Sequence, residues 1–228
     1  MAKGKLYKFD QINSYPNVVQ NPLYTAPRLY GSGGSELNLR GQWANNFFVE
    51  KLPLVLELGC GHGDYSRSLA RMESNKNILG VDIKGNRIYT GARLALQENL
   101  RNVGFLRTRI EQINLFFDTA EVSEIWITFP DPFLRDSKEN RRLTSRPFID
   151  RYARILRSDG IIHLKTDSDS LFHFTLGVIH SAGLKIVNLY NNLYEEKPAD
   201  ERLYILTHYE KMHLANRLTI KYVSFMLP

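Results

Sequence analysis

Cysteine is almost missing from this chain: Cys60 is the only one among 228 residues. No internal disulfide can form, and a reducing cytoplasm is the expected setting. Long apolar runs are missing too. The hydrophobic stretches are shorter than the roughly 20 residues of a membrane-spanning helix, and the basic Met1–Asp10 lacks the apolar centre of a secretory signal, so no membrane partner is expected. There is no internal repeat and no low-complexity tract. Acid is in deficit: 30 Lys and Arg face 24 Asp and Glu, a net charge of +6, which favours a polyanionic partner without saying which.

What is present has the balance of a globular protein, with 43% hydrophobic and 24% charged residues, enough for one α/β domain with decorations. Apolar runs read as strands over Leu54–Leu58, Ile78–Ile83, Val103–Arg107, Glu124–Phe129 and Ile161–Thr166. Helical patterns separate them near Tyr65–Met72, Asn86–Leu100, Gln112–Phe117 and Pro147–Leu156. A helix at Ser170–Ser181, a strand at Leu184–Tyr190, a loop near Glu196–Glu201, a helix at Thr207–Asn216 and a strand at Leu218–Phe225 follow. The alternation predicts a mainly parallel sheet with helices on both faces. Residues 1–40, with Pro16, Pro22, Pro27 and the run Gly31–Gly34, are expected to form an irregular arm, and residues 41–228 the domain.

The stretch Leu54–Asp64 runs from a strand into three alternating glycines, Gly59, Gly61 and Gly63, with Glu57 just before them. Such a turn lets a ligand approach the backbone. A carboxylate beside it disfavours a phosphate-bearing dinucleotide and favours a cationic ligand, which S-adenosylmethionine is through its ammonium and sulfonium. Asp82 ends the next strand at the spacing where a carboxylate meets a ribose diol; it also suits the N-cap of a helix starting near Lys84. Cys60 is read as a space-filling residue and His62 as a loop or capping residue in preference to a base.

The fourth strand ends in Phe129-Pro-Asp-Pro-Phe133, whose prolines stiffen the backbone around Asp131 at the expected mouth of the site; a plain strand-ending turn is the alternative. Beyond it Arg135, Lys138, Arg141, Arg142 and Arg146 face only Asp136 and Glu139, a basic loop that either contacts phosphates or is a solvated surface.

Three segments together, Phe129-Pro-Asp-Pro with Asn140–Thr144, His163–Asp167 and Thr207–Lys211, resemble the bacterial tRNA (guanine-N7)-methyltransferases of the TrmB type, a resemblance running from Leu54 to the C-terminus. It implies a Rossmann-like, doubly wound sheet of seven strands, the last antiparallel. It also implies S-adenosylmethionine as methyl donor, no metal, and a variable-loop guanine of tRNA as target, for a protein that is a monomer or homodimer. By position, Glu57, Gly59, Gly61 and Asp82 look like donor contacts, and Asp131 like the catalytic, donor-side acid. Arg135, Asp167 and the run Thr207, His208, Tyr209 and Glu210 look like substrate contacts. Two positions depart from the family: Arg109 stands where an adenine-contacting acid is usual, with Glu111 nearby, and Phe133 replaces a tryptophan.

The chemistry is consistent with that resemblance. Guanine N7 carries a lone pair and no hydrogen, so methylation needs no general base, only in-line positioning and negative charge near the purine as it becomes cationic. His163, within an apolar strand, reads as structural. Lys165 and Asp167 point to one side of their strand and either pair or meet the base together. Thr207 and Glu210 fit a capping box; Glu210 alternatively accepts the guanine amine and ring N–H. A methyltransferase of a small molecule or protein, and an RNA-binding module without catalysis, are the competing readings.

Overall fold

The computed structural model describes residues 3–227. After helix α1 (Lys3–Gln11) come three short strands, β1 (Val18–Gln20), β2 (Leu29–Tyr30) and β3 (Glu36–Leu37). The alternating part follows: β4 (Leu54–Leu58), α2 (Asp64–Met72), β5 (Asn77–Asp82), α3 (Gly85–Gln97), β6 (Val103–Arg107) and β7 (Val122–Thr128). It continues with α4 (Arg146–Tyr152), β8 (Leu156–Thr166), α5 (Asp169–Ser181), β9 (Lys185–Tyr190), α6 (Leu193–Glu196), α7 (His208–Ala215) and β10 (Lys221–Met226).

All strands join one sheet in the order β3-β2-β1-β6-β5-β4-β7-β8-β10-β9. The pairs among β6, β5, β4, β7 and β8 are parallel, and β10 runs antiparallel to both β8 and β9. Seven of these strands are the expected doubly wound sheet. The other three correct the expectation for the first forty residues: β1 pairs in parallel with β6, Val18 opposite Phe105, so this segment extends the sheet instead of forming an irregular arm.

Both faces are covered. Leu54, Leu56 and Leu58 of β4 belong to one core cluster and Val55 to the other, which is why the central strands read as unbroken apolar runs. Several boundaries differ from the sequence reading, the last strand for one running over Lys221–Met226 and not Leu218–Phe225. The turn expected as a helix at Gln112–Phe117 is a 3-10 segment at Ile110–Leu115, and α4 stops at Tyr152 because β8 begins at Leu156, where Leu156 pairs with Val122.

Candidate active site

Chain order reverses at β4, which lies between β5 and β7. Such a switch point opens a crevice at the carboxyl ends of the strands. Here it is a cleft of about 760 Å³, walled by the ends of β4, β5, β7 and β8, the start of α3 and the start of α7.

The floor is the glycine turn. Gly59, Gly61 and Gly63 have φ of 80°, 54° and 70°, a region costly for other residues. Gly59 and Gly61 have room for a side chain, so backbone angle sets their identity. Gly63 is also packed, since a Cβ there would sit 2.6 Å from Phe105. Glu57 is 1% exposed. One carboxylate oxygen accepts from the Ser66 backbone N–H at 2.8 Å and from the Ser66 hydroxyl, and the other accepts from the Thr128 hydroxyl at 2.9 Å. Burial nonetheless pushes its carboxyl up to about 7, against the pull of those hydrogen bonds. Asp82 accepts from the Gly61 N–H at 3.0 Å and the Lys84 N–H at 2.7 Å, bracing the turn against the strand end. Burial pushes the Cys60 thiol well above its ordinary range, consistent with a packing role.

At the mouth, Phe129 and Phe133 both lie in the left-handed region, with φ of 48° and 42°. Strained residues like these persist only where neighbours hold them. Asp131 between them is exposed and accepts from the Phe133 N–H at 3.0 Å, fixing its carboxylate. Arg142 holds the segment from behind, donating to the carbonyls of Pro132 and Phe133 at 3.1 Å each while stacking on Phe174. It is 5% exposed, so this member of the expected basic loop faces the protein and not solvent. Arg146 pairs with Asp150 at 2.8 Å, Arg135 is exposed at the start of the 3-10 turn Asp136–Arg141, and of the loop's five cations Arg141 lines the cleft.

Asp167, at the end of β8, faces the cleft with its carboxylate 3.4 Å from His213 Nδ1 of α7. The His213 ring stacks on Phe129 at 5.5 Å. Thr207 caps α7 by accepting from the Glu210 N–H at 3.1 Å and still borders the cleft with His208 and Tyr209. The His208 N–H is 3.3 Å from Asp64 at the start of α2, tying α7 to the glycine turn. Glu210 departs from its expected place against the guanine: it is 0% exposed, pairs with Lys165 at 2.7 Å and accepts from the Tyr194 hydroxyl at 2.8 Å. Lys165 therefore pairs with Glu210 and not with Asp167. Burial pulls the Lys165 ammonium below its ordinary value while Glu210 opposes the shift.

Arg109 lines the cleft with its guanidinium 4.5 Å from the Tyr24 ring centre, and Glu111 borders the same wall. His62 is partly buried. Desolvation lowers its pKa, the charges of Arg87, His208 and Lys8 add to that, and Asp64 opposes it. His163 is buried, its ring stacked on Trp126 at 3.9 Å and its Nε2 2.9 Å from Glu124, far from solvent as its strand pattern implied. Thr128, Lys84, Arg87 and His213 also border the cleft and escaped the sequence reading; only Thr128, at the end of an apolar strand, carried a local signal. Among the described residues, no cluster of three His, Cys, Asp or Glu is arranged to hold a metal ion.

A doubly wound sheet, a glycine turn at its switch point and acids at the adjoining strand ends define a Rossmann-like methyltransferase. A family profile described as "Putative methyltransferase" matches residues 51–222. The tRNA (guanine-N(7)-)-methyltransferase of Bacteroides fragilis (strain YCH46) is 45% identical over 228 residues, all of this chain and 87% of that protein. The enzyme of the same name from Christiangramia forsetii is 42% identical over 99% of both chains. Among solved structures, the 16S rRNA methyltransferase KamB superposes with a TM-score of 0.59 at 17% identity, covering 77% of this chain and 88% of its own, a likeness of fold. The chain belongs to the tRNA (guanine-N(7)-)-methyltransferase family. S-adenosylmethionine is its methyl donor, and the floor suits that donor: a buried carboxyl held near 7 gains its charge when a cation binds beside it.

Proposed function

We propose that this enzyme methylates N7 of a guanine in tRNA, the variable-loop guanine, within the cytoplasm. Identity over the whole chain to relatives of that name supports the substrate. The observation that carries the chemistry is Asp131, an exposed carboxylate fixed by its own backbone at the mouth of an otherwise buried acidic floor.

When bound, S-adenosylmethionine supplies an electrophilic methyl group on a sulfonium. Glu57, Asp82 and the backbone of Gly59 and Gly61 would hold it, with Thr108 and Arg109 on the adjoining wall. The Asp131 carboxylate stabilises the positive charge that develops on the purine as its N7 lone pair is alkylated. Asp167, oriented by His213, and Thr207, His208 and Tyr209 border the space for the base, while Arg135 offers a charge to the RNA backbone. Glu210 serves from behind, anchoring α7 through Lys165. No proton has to leave N7, so His62 is not needed as a base.

Asp131→Asn tests this, because it keeps size and most hydrogen bonding and removes the charge. Single-turnover methyl transfer should fall by roughly 10²–10³-fold with tRNA affinity nearly unchanged. A near-parental rate would remove Asp131 from the mechanism.

A further inference from the structure

The cleft has an acidic floor, its rim carries Lys84, Arg87, Arg109 and Arg141 beside Asp131 and Asp167, and on one side the cations continue beyond the cleft. α1 packs on α3 through Phe9 and, just past its end, Ile12, which crowd Gly85 so closely that a Cβ there would lie 2.7 Å from Phe9. Along this ridge stand Lys8 of α1, Lys84 just before α3, and Arg87 and Arg93 of α3; α1 has Asp10 as its one acid, and α3 has no acid at all.

On α2 and α4 most of the cations pair with acids, Arg151 of α4, which lies over Phe148, being an exception. Arg67 and Arg71 on α2 pair with Asp64 and Glu98, and Arg146 on α4 pairs with Asp150. On the α1 and α3 face, Lys8 instead lies 5.6 Å over the Tyr89 ring, Arg87 lies 5.7 Å over Tyr209, and Arg93 bonds the neutral Gln97. Solvated helix faces commonly balance their charges through i,i+4 pairs, so cations left to aromatic and amide partners stay available to an anion. The aromatic residues are themselves grouped: Tyr15 stacks on Tyr89 at 5.8 Å, and Tyr7, 57% exposed, meets Tyr89 edge-on. Lys84 and Arg87 border the cleft, and the charge of Lys8 reaches His62 in the glycine turn, so this ridge begins at the reaction site.

We infer that the α1 and α3 ridge is a second RNA-binding surface, which takes the phosphate backbone of the tRNA as it leaves the cleft, with Tyr7 as an exposed ring for a neighbouring base. It rests on the proposed tRNA substrate. The ridge also gives a use to the segment from α1 to β1, where β1 pairs with β6 and α1 packs on α3. Cations interleaved with aromatics suit RNA, whose phosphates and unstacked bases are both available. The buried Arg142 and paired Arg146 leave Arg135, Lys138 and Arg141 as the loop's exposed cations, fewer than its sequence suggested, and the ridge adds to their grip on the backbone.

The test uses the full chain with Lys8→Ala and Arg93→Ala combined, residues outside the cleft and the core. Each phosphate contact contributes about 0.7–0.9 to the log–log salt slope of binding, so the double change should lower that slope by about 1.5. The tRNA KM should rise on the order of tenfold, with kcat at saturating tRNA and donor affinity unchanged. Lys8→Arg with Arg93→Lys should keep the slope; its loss there would mean that shape and not charge was disturbed, and would overturn the inference. So would an unchanged slope and KM in the alanine variant of a parent that methylates tRNA. Binding of anionic lipid vesicles by the parent alone, at unchanged tRNA affinity, would assign the ridge to a membrane surface instead. A parent that neither binds nor methylates tRNA would refute the proposed function itself.

Discussion

Glu57→Gln separates the cost of the buried carboxylate from its use. Moving a carboxyl from 4.5 to about 7 corresponds to about 3 kcal/mol at 1.36 kcal/mol per pH unit. The sign follows from proton counting: the folded chain keeps the Glu57 proton between those two values while the unfolded chain releases it. Stability in the absence of donor therefore falls as pH rises through that window and stays lower above it. Glutamine has the same shape. Its carbonyl can accept from Ser66, and its amide can donate to Thr128, whose hydroxyl turns to accept. The variant should show no such fall and should match or exceed the parent at about pH 8 by up to about 3 kcal/mol. Its donor affinity should drop by roughly 10- to 100-fold, the usual loss of a hydrogen bond to a charged group. Urea unfolding at several pH values between about 5 and 8 measures the first effect and calorimetry the second. Parallel stability curves for parent and variant across that range would refute the claim that burial holds this carboxyl high.

Two further substitutions test the corrected roles. Arg142→Ala should release the Pro132 and Phe133 carbonyls and let Asp131 drift, lowering kcat by at least about tenfold while leaving the salt dependence of tRNA binding unchanged; a flatter salt slope would return Arg142 to the RNA surface. Glu210→Ala leaves Lys165 buried without its partner and should cost about 3–5 kcal/mol by chemical denaturation, with Lys165→Met combined with Glu210→Leu recovering much of it; a stability loss under about 1 kcal/mol in the single variant would contradict the buried pair.

The central sheet was legible because parallel strands covered on both faces are mostly apolar along their length, as in Leu54–Leu56 of β4 and Phe105–Leu106 of β6, with Glu57 the buried exception in β4. The strands β1, β2 and β3 were not, since two or three residues carry no readable period and β1 finds its partner β6 far along the chain. In the site, the glycine turn and the Thr207 cap are local patterns and could be read directly. Glu210 could be read only halfway. Its cap spacing is local, but the lysine that claims its carboxylate lies 45 residues away in sequence. Arg142 was misplaced for the same reason: sequence displays its charge, and only packing against Phe174 and the Pro132 carbonyl displays its burial.

The most direct test of N7 methylation is atom-specific. A tRNA transcript containing guanosine should accept a methyl group from labelled S-adenosylmethionine and yield 7-methylguanosine at a single variable-loop position. The same transcript made with 7-deazaguanosine, whose ring keeps its shape but has carbon in place of the N7 lone pair, should bind and accept no methyl group. Methyl transfer to the 7-deaza transcript would show that the enzyme modifies another atom, and would contradict the proposed chemistry.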